Sequence, residues 1–102
     1  MIKKHMTILK TLSQVDKKLR IDILKNAPNT LFKVLDIIFT NCISGVIPVS
    51  TSHLKRHRQF MKRNSNASIS AIKGGLVQGG EAFPLLLAGL IPVIGNLLSK
   101  IF

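Results

Sequence analysis

The segment from His53 to Arg63 contains the side chains of this chain that are best suited to bind another molecule. It reads HLKRHRQFMKR, and no acidic residue occurs between Ile37 and Gly80. On a helix with about 100° per residue, its cations fall within an arc of roughly 160°. Such an arc neutralises phosphates and releases their counterions, which predicts sequence-independent, salt-sensitive nucleic-acid binding; the alternative is a solvated helix face. The predicted binding residues are Lys55, Arg56, Arg58, Lys62 and Arg63.

Other kinds of chemistry find little support in the sequence. The chain has no Trp and no Tyr, so we do not expect the protein to recognise nucleic-acid bases by stacking. Its four acidic residues are scattered and form no general acid–base pair. His53 and His57 have no Glu nearby, and Cys42 is isolated, so we predict no metal site. We therefore predict a protein that is not an enzyme and needs no cofactor. Its histidines should be solvated or face phosphate, and Cys42 should be a buried thiol.

The charge of the chain is distributed unevenly. Its 102 residues have a formal net charge of +11, which indicates a nucleic acid, an anionic membrane or an acidic protein as partner. Fourteen of the fifteen Lys and Arg residues precede position 74, whereas residues 82–99 have no charge. One half of the chain is thus suited to a polyanion and the other to lipid or an apolar partner.

The hydrophobic pattern predicts an all-α fold. Apolar residues recur at three- and four-residue steps from Met6 until Pro28 ends the run. A second helix should end at Gly45, and a third should be capped by a residue of 50–52 and reach about Arg63. We predict a small bundle of three to four short helices, followed by a flexible Gly-rich linker and an amphipathic helical tail. The expected boundaries are 1–63 for the basic body, 64–80 for the linker and 81–102 for the tail.

The tail has a wide apolar face when it is drawn as a helix, with Pro92, Asn96, Ser99 and Lys100 on its polar side. Residues 90–102 resemble the temporin class of membrane-active peptides. Such a surface must enter lipid, a partner such as the capsid interior, or the core of the body itself. The candidate contact residues are Phe83, Leu86, Leu87, Leu90, Ile91, Val93, Ile94, Leu97, Leu98, Ile101 and Phe102.

Several short motifs occur in a fixed order along the chain: Lys18 to Ile21, Leu24 to Pro28, Asn41 to Val46, Leu54 with Arg58 to Lys62, and Gln78 to Gly80 before the apolar tail. In these motifs and in the order of its parts the chain resembles the adenoviral core protein X (mu precursor) family and, more closely, the X-like proteins of adintoviruses and Maverick/Polinton elements. The resemblance implies a minor virion core protein that binds packaged double-stranded DNA. It also implies a location in the virion and, during assembly, in the host nucleus or cytoplasm.

The same resemblance implies processing by an adenain-like viral cysteine protease, which cuts after Gly-Gly or Gly-X when a Met, Leu or Ile, but not a Val, stands four residues upstream. Ile72-Lys73-Gly74-Gly75 fits that pattern, and Val77-Gln78-Gly79-Gly80 fits it less well. A peptide-binding cleft favours glycines because they have no Cβ near the scissile bond. The candidate cleavage residues are therefore Gly74, Gly75, Gly79 and Gly80, with a hinge as the alternative.

Two further functions agree with the sequence. In the first, the protein is a membrane-permeabilising, lytic cationic effector whose C-terminal helix inserts into lipid. Its basic body would then bind an anionic membrane instead of DNA. In the second, the protein is a small helical adaptor that buries its tail and binds an acidic protein.

Overall fold

A computed structural model describes residues 2–79 and 82–101, with side chains described for residues 5–79 and 82–96. Within these ranges the structure contains helices and no strand, which confirms the all-α prediction. The described residues form six helices instead of the three or four and a tail that the sequence suggested. They are α1 (Ile2–Gln14), α2 (Lys17–Asn26), α3 (Asn29–Ser44), α4 (Thr51–Arg63), α5 (Ile69–Gln78) and α6 (Ala82–Ile101).

The first apolar run is divided into two helices at Asp16. The side chain of Asp16 accepts a hydrogen bond from the backbone N–H of Leu19 at 2.9 Å, so Asp16 is the N-cap of α2. An N-cap has an extended backbone, and α1 therefore ends before it. Pro28 stops α2 as predicted and takes the N-cap position of α3 without a side-chain hydrogen bond.

Helix α3 provides the centre of the core. Gly45 closes it in the left-handed conformation with φ +88°, which glycine adopts without a steric penalty. Its buried side is wider than a single stripe at helical spacing, since Val34 is buried as well. The buried residues of α3 are Leu31, Phe32, Val34, Leu35, Ile38, Phe39 and Cys42.

Helix α5 lies within the interval 64–80, where the sequence suggested a flexible linker. The hydroxyl of Ser68 caps it by accepting from the N–H of Ala71 at 3.1 Å, and Ile72 and Leu76 lie buried on one face. The ammonium group of Lys73 donates to the backbone carbonyl of Lys25 at 2.8 Å, at the C-terminal end of α2. Although this interval is rich in polar residues and glycine, it therefore contains a short helix, which is stabilised by packing of its apolar face on the core.

Helix α6 packs into the core of the body, and its most extensive contact is with α1. Of the three destinations considered for the tail, the described residues occupy the third, the protein's own core. Among the described residues no single helix is long and apolar enough to cross a bilayer. Only α5 and residues 82–96, taken together and bent by 107°, reach that length and composition. The buried residues of the predicted apolar face are Phe83, Leu86, Leu87, Leu90 and Ile94.

Candidate nucleic-acid interface

Helix α4 presents its cations to solvent on one face. The hydroxyl of Ser50 accepts a hydrogen bond from the N–H of His53 at 3.3 Å and so fixes the start of the helix. His57, Phe60 and Met61 are buried on the opposite face. The structure thus brings all five predicted cations together on an accessible surface, which we call the cationic face: Lys55, Arg56, Arg58, Lys62 and Arg63.

The buried side of α4 holds this face in place. The ring of Phe60 meets that of Phe39 on α3 edge-on, with centroids 6.3 Å apart. It also stacks on Phe83 of α6 at 6.2 Å and an interplanar angle of 21°. Aromatic pairs at these distances add to the energy of burial. Because α4 is anchored on both α3 and α6, its cations project from a fixed helix.

The C-terminal end of α4 is fixed by amide groups. The side-chain amide of Asn64 donates to the carbonyl of Phe60 at 2.8 Å. The backbone N–H of Asn66, a residue with positive φ (51°), donates to the carboxylate of Asp36 on α3 at 2.8 Å. Lys62 and Arg63 lie in the last turn, where positive charge interacts favourably with the helix dipole. The cations at this end therefore also stabilise the helix that presents them.

The cationic face has no internal counter-charge. Within the described part of the chain none of its five residues forms an ion pair; Arg63 donates only to the backbone carbonyl of Gln59, at 3.4 Å. Of the three acids in this part of the chain, Asp16 caps α2, Asp22 lies exposed on α2, and Asp36 accepts from Asn66 and from the hydroxyl of Thr40. The positive charge of α4 is thus available to an anion from outside.

An open depression of about 330 Å³ borders the cationic face. No aromatic ring lines it, so this surface offers phosphate contacts and hydrogen bonds but no platform for base stacking. Phe60, the aromatic residue of the basic run, points into the core. The residues that line the depression are Thr51, Leu54, Lys55, Arg58 and Gln59.

The histidines are placed differently from the prediction. We expected them to be solvated or to face phosphate, yet His5 and His57 are each only 4% exposed, and His53 is partly buried. The reason is helical geometry: positions 53 and 57 fall on the same inner side of α4 as Phe60. A helical wheel drawn around Phe60 would have revealed this from the sequence.

The described residues include a buried cysteine and no cluster of metal ligands. Cys42 is buried in α3 as predicted, and this burial raises the pKa of its thiol to about 11. The thiolate population at neutral pH is consequently very small. No group of three or more His, Cys, Asp or Glu residues among those described could hold a metal ion.

Two of the four glycines proposed as cleavage positions, Gly75 and Gly79, lie at close helix contacts. Gly74 and Gly75 are inside α5, Gly79 caps its C-terminus, and Gly80 lies outside the described residues. A Cβ at Gly75 would overlap the side-chain oxygen of Asn64, and one at Gly79 would lie 2.8 Å from the Phe60 ring. Close approach of α5 to α4 therefore accounts for two of these glycines. Cleavage after Gly75 would require α5 to unwind, because a protease binds an extended chain.

The other residues of the tail differ in their exposure, and the last of them lie outside the described residues. Ile91 and Val93 are partly buried against the core, whereas Leu85 and Pro92 are exposed. The side chains of Leu97, Leu98, Ile101 and Phe102 lie outside the described residues. The apolar face of α6 that is described is thus covered by the body.

Comparisons with protein-family models, with curated proteins and with solved structures find no match to this chain.

Proposed function

We propose that this protein is a minor virion core protein that binds packaged double-stranded DNA without sequence preference, through the cationic face of α4. The observation that carries the proposal is the exposure of five cations on one side of a fixed helix, without ion-pair partners among the described residues. Each cation that contacts a phosphate releases condensed counterions, and this release is the main source of non-specific affinity.

The composition of the face favours backbone contacts over base recognition. Arg and Lys bind phosphate oxygens, and bases are distinguished only by groups that reach their edges in a groove. The cationic face has no aromatic side chain to stack on a base, and its charges are spread over roughly 160° of the helix instead of forming a narrow reading edge. Such a surface suits condensation of DNA more than recognition of a site.

The burial of α6 supports DNA binding over the membrane-permeabilising alternative. A lytic function needs the apolar face of the tail, and in the folded protein the described part of that face, from Phe83 to Ile94, packs in the core. Removing it from the core without another apolar environment would cost about 1.5–3 kcal/mol for each large side chain. Lipid insertion therefore requires a condition that releases α6.

Fluorescence anisotropy with labelled DNA duplexes of unrelated sequences tests the proposal. We expect equal affinities for the duplexes and a log–log dependence on salt with a slope of about −4, as about five phosphate contacts would give. Replacement of all five cations of the face by Gln should remove most of that slope.

The matched control replaces five exposed lysines elsewhere, which lowers the formal charge by the same amount. This variant should keep most of the slope, since only the general field of the protein changes. Equal losses in the two variants, or binding that persists at high salt, would contradict a dedicated face on α4. Tighter binding to anionic vesicles than to DNA at equal salt would favour lipid as the natural polyanion. The control positions are Lys10, Lys17, Lys18, Lys25 and Lys33.

A further inference from the structure

A cleft of about 410 Å³ opens between the C-terminal end of α4 and helix α5. Binding of duplex DNA by the cationic face makes no use of it, apart from Arg63, which belongs to that face and also lines the cleft. The volume lies in the range of pockets that bind small molecules, about 300–1,000 Å³. Since residues of α4, α5 and the start of α6 form its walls, only the folded chain contains this site.

A buried amide group with an unused acceptor lines the cleft. Asn64 is only 4% exposed, and its Nδ2 atom donates to the carbonyl of Phe60 at 2.8 Å. This bond leaves Oδ1 on the side of α5, in the space that a Cβ of Gly75 would fill. Among the described residues no group donates to this Oδ1. Because a buried acceptor is costly without a donor, a ligand with an N–H group gains affinity here.

Arg63 supplies a positive group at the same cleft. Its side chain is exposed, and Nε donates to the backbone carbonyl of Gln59 at 3.4 Å. The other N–H groups of the guanidinium have no partner among the described residues. Their planar arrangement matches two oxygens of a phosphate or carboxylate. The cleft therefore favours a ligand that is anionic at one end.

The remaining walls indicate the rest of the ligand. Phe60, Ala71 and Ala82 give apolar contacts, and the exposed amide of Gln78 offers a donor and an acceptor. Asn and Gln amides are the side chains that pair with the amino group of adenine. An aromatic amino group is neutral, so it adds no positive charge beside Arg63, as an alkyl ammonium would. It also projects from its ring and can reach the recessed Oδ1 of Asn64.

We propose that this cleft binds a nucleotide whose base has an exocyclic amino group. The phosphate binds Arg63, and the amino group donates to Oδ1 of Asn64. The nucleotide is free or belongs to an unpaired strand, because base pairing in a duplex occupies the amino group. The proposal does not rest on duplex binding, since the cleft requires only Arg63 from the cationic face.

An NMR titration of the full chain with adenosine 5′-monophosphate (AMP) tests the proposal. We expect saturable shifts of the side-chain amide signals of Asn64 and Gln78. Inosine 5′-monophosphate has an oxygen in place of the amino group and should bind about threefold to tenfold more weakly, because one hydrogen bond is lost. Ribose 5-phosphate, which has no base, should bind more weakly still. Equal affinities for the three compounds would indicate a simple anion site and overturn the proposal.

A substitution that fills the cleft assigns the binding to it. Ala71 is exposed and lines the cleft, so Ala71→Leu adds bulk there without a change of charge. This variant should bind AMP about tenfold more weakly or not at all. The matched control is Ala88→Leu, at an exposed alanine of α6 outside the cleft, which should bind AMP as the wild type does. Unchanged AMP affinity in Ala71→Leu would overturn the proposal.

Arg63→Gln gives a second test that does not depend on filling the cleft. It should weaken binding of all three phosphate compounds and preserve the preference for AMP over inosine 5′-monophosphate, because Asn64 is unchanged. Loss of the preference with Arg63 intact, in Gln78→Leu, would place recognition on Gln78 instead of Asn64 and contradict the assignment.

Duplex binding distinguishes this site from the cationic face. Ala71→Leu should keep the salt slope of the wild type with duplex DNA, since all five cations remain. Loss of AMP and duplex binding together would place the nucleotide on the cationic face and overturn a separate site. A single strand of deoxyadenosines identifies the source: competition with AMP at the Asn64 signals supports an unpaired strand as ligand, and AMP binding without competition supports a free nucleotide.

Discussion

Helices α4 and α6 use their two faces in opposite ways. Helix α4 packs a narrow apolar side on the core and leaves its charged side without a described partner. Helix α6, between residues 82 and 96, instead buries most of its large apolar side chains. The two helices touch through His53, Phe60 and Phe83. The described apolar side of the more hydrophobic helix, α6, thus lies in the core, whereas the accessible charges lie on α4, the less hydrophobic of the two helices.

The largest expected effect is a loss of folding stability when a buried residue of α6 is truncated, which tests whether α6 packs in the core. Leu90 is fully buried, so Leu90→Ala should lower the free energy of unfolding by about 2–5 kcal/mol. Leu85→Ala is the matched control on the same helix: its side chain is 57% exposed, and the change should stay within about 0.5 kcal/mol. Urea unfolding followed by circular dichroism measures both. Small and equal effects would show that α6 is not packed on the body.

Two glycines of α6 test the contact between α4 and α6, because only one of them lies against α4. Gly89→Ala places a methyl group against the ring of His53 and should destabilise the protein by about 1–3 kcal/mol. Gly95→Ala on the same helix meets no atom within 4 Å and should stabilise it by about 0.5–1 kcal/mol. Thermal and urea unfolding report both changes. If Gly89→Ala were stabilising as well, the contact with His53 would not exist in solution.

The smallest expected change in stability separates the two sides of α4. Arg58→Gln removes an exposed charge without an ion-pair partner, so unfolding should change by no more than about 0.5 kcal/mol. The salt slope of DNA binding should nevertheless become shallower by about 1. Met61→Ala, on the buried side, should instead cost about 2–5 kcal/mol of stability. A stability loss at Arg58 as large as that at Met61 would argue against a free cationic face.

Much of the helical organisation could be predicted from local sequence. The end of α2 at Pro28, the C-cap at Gly45, the start of α4 at Ser50 and its end near Arg63 follow from capping chemistry that acts over a few residues. The cationic face was predictable for the same reason, because helical periodicity alone decides which side chains share an arc. Helix α5 was not predicted because the four glycines between positions 74 and 80, and the polar residues that precede the helix, obscure its short apolar stripe.

Local sequence is enough to establish the all-α class, the position of the cations on one helix face, the inward side of α4 that contains His53 and His57, and the amphipathic character of the tail. These properties depend on neighbours three or four residues apart. Contacts between distant parts of the chain, in contrast, set where the described part of the tail lies and why Gly75 and Gly89 must be small. An apolar face can lower its free energy equally well in lipid, in a partner or in the protein's own core. The choice depends on surfaces from distant parts of the chain, here chiefly α1 and α4, which no local pattern in α6 encodes.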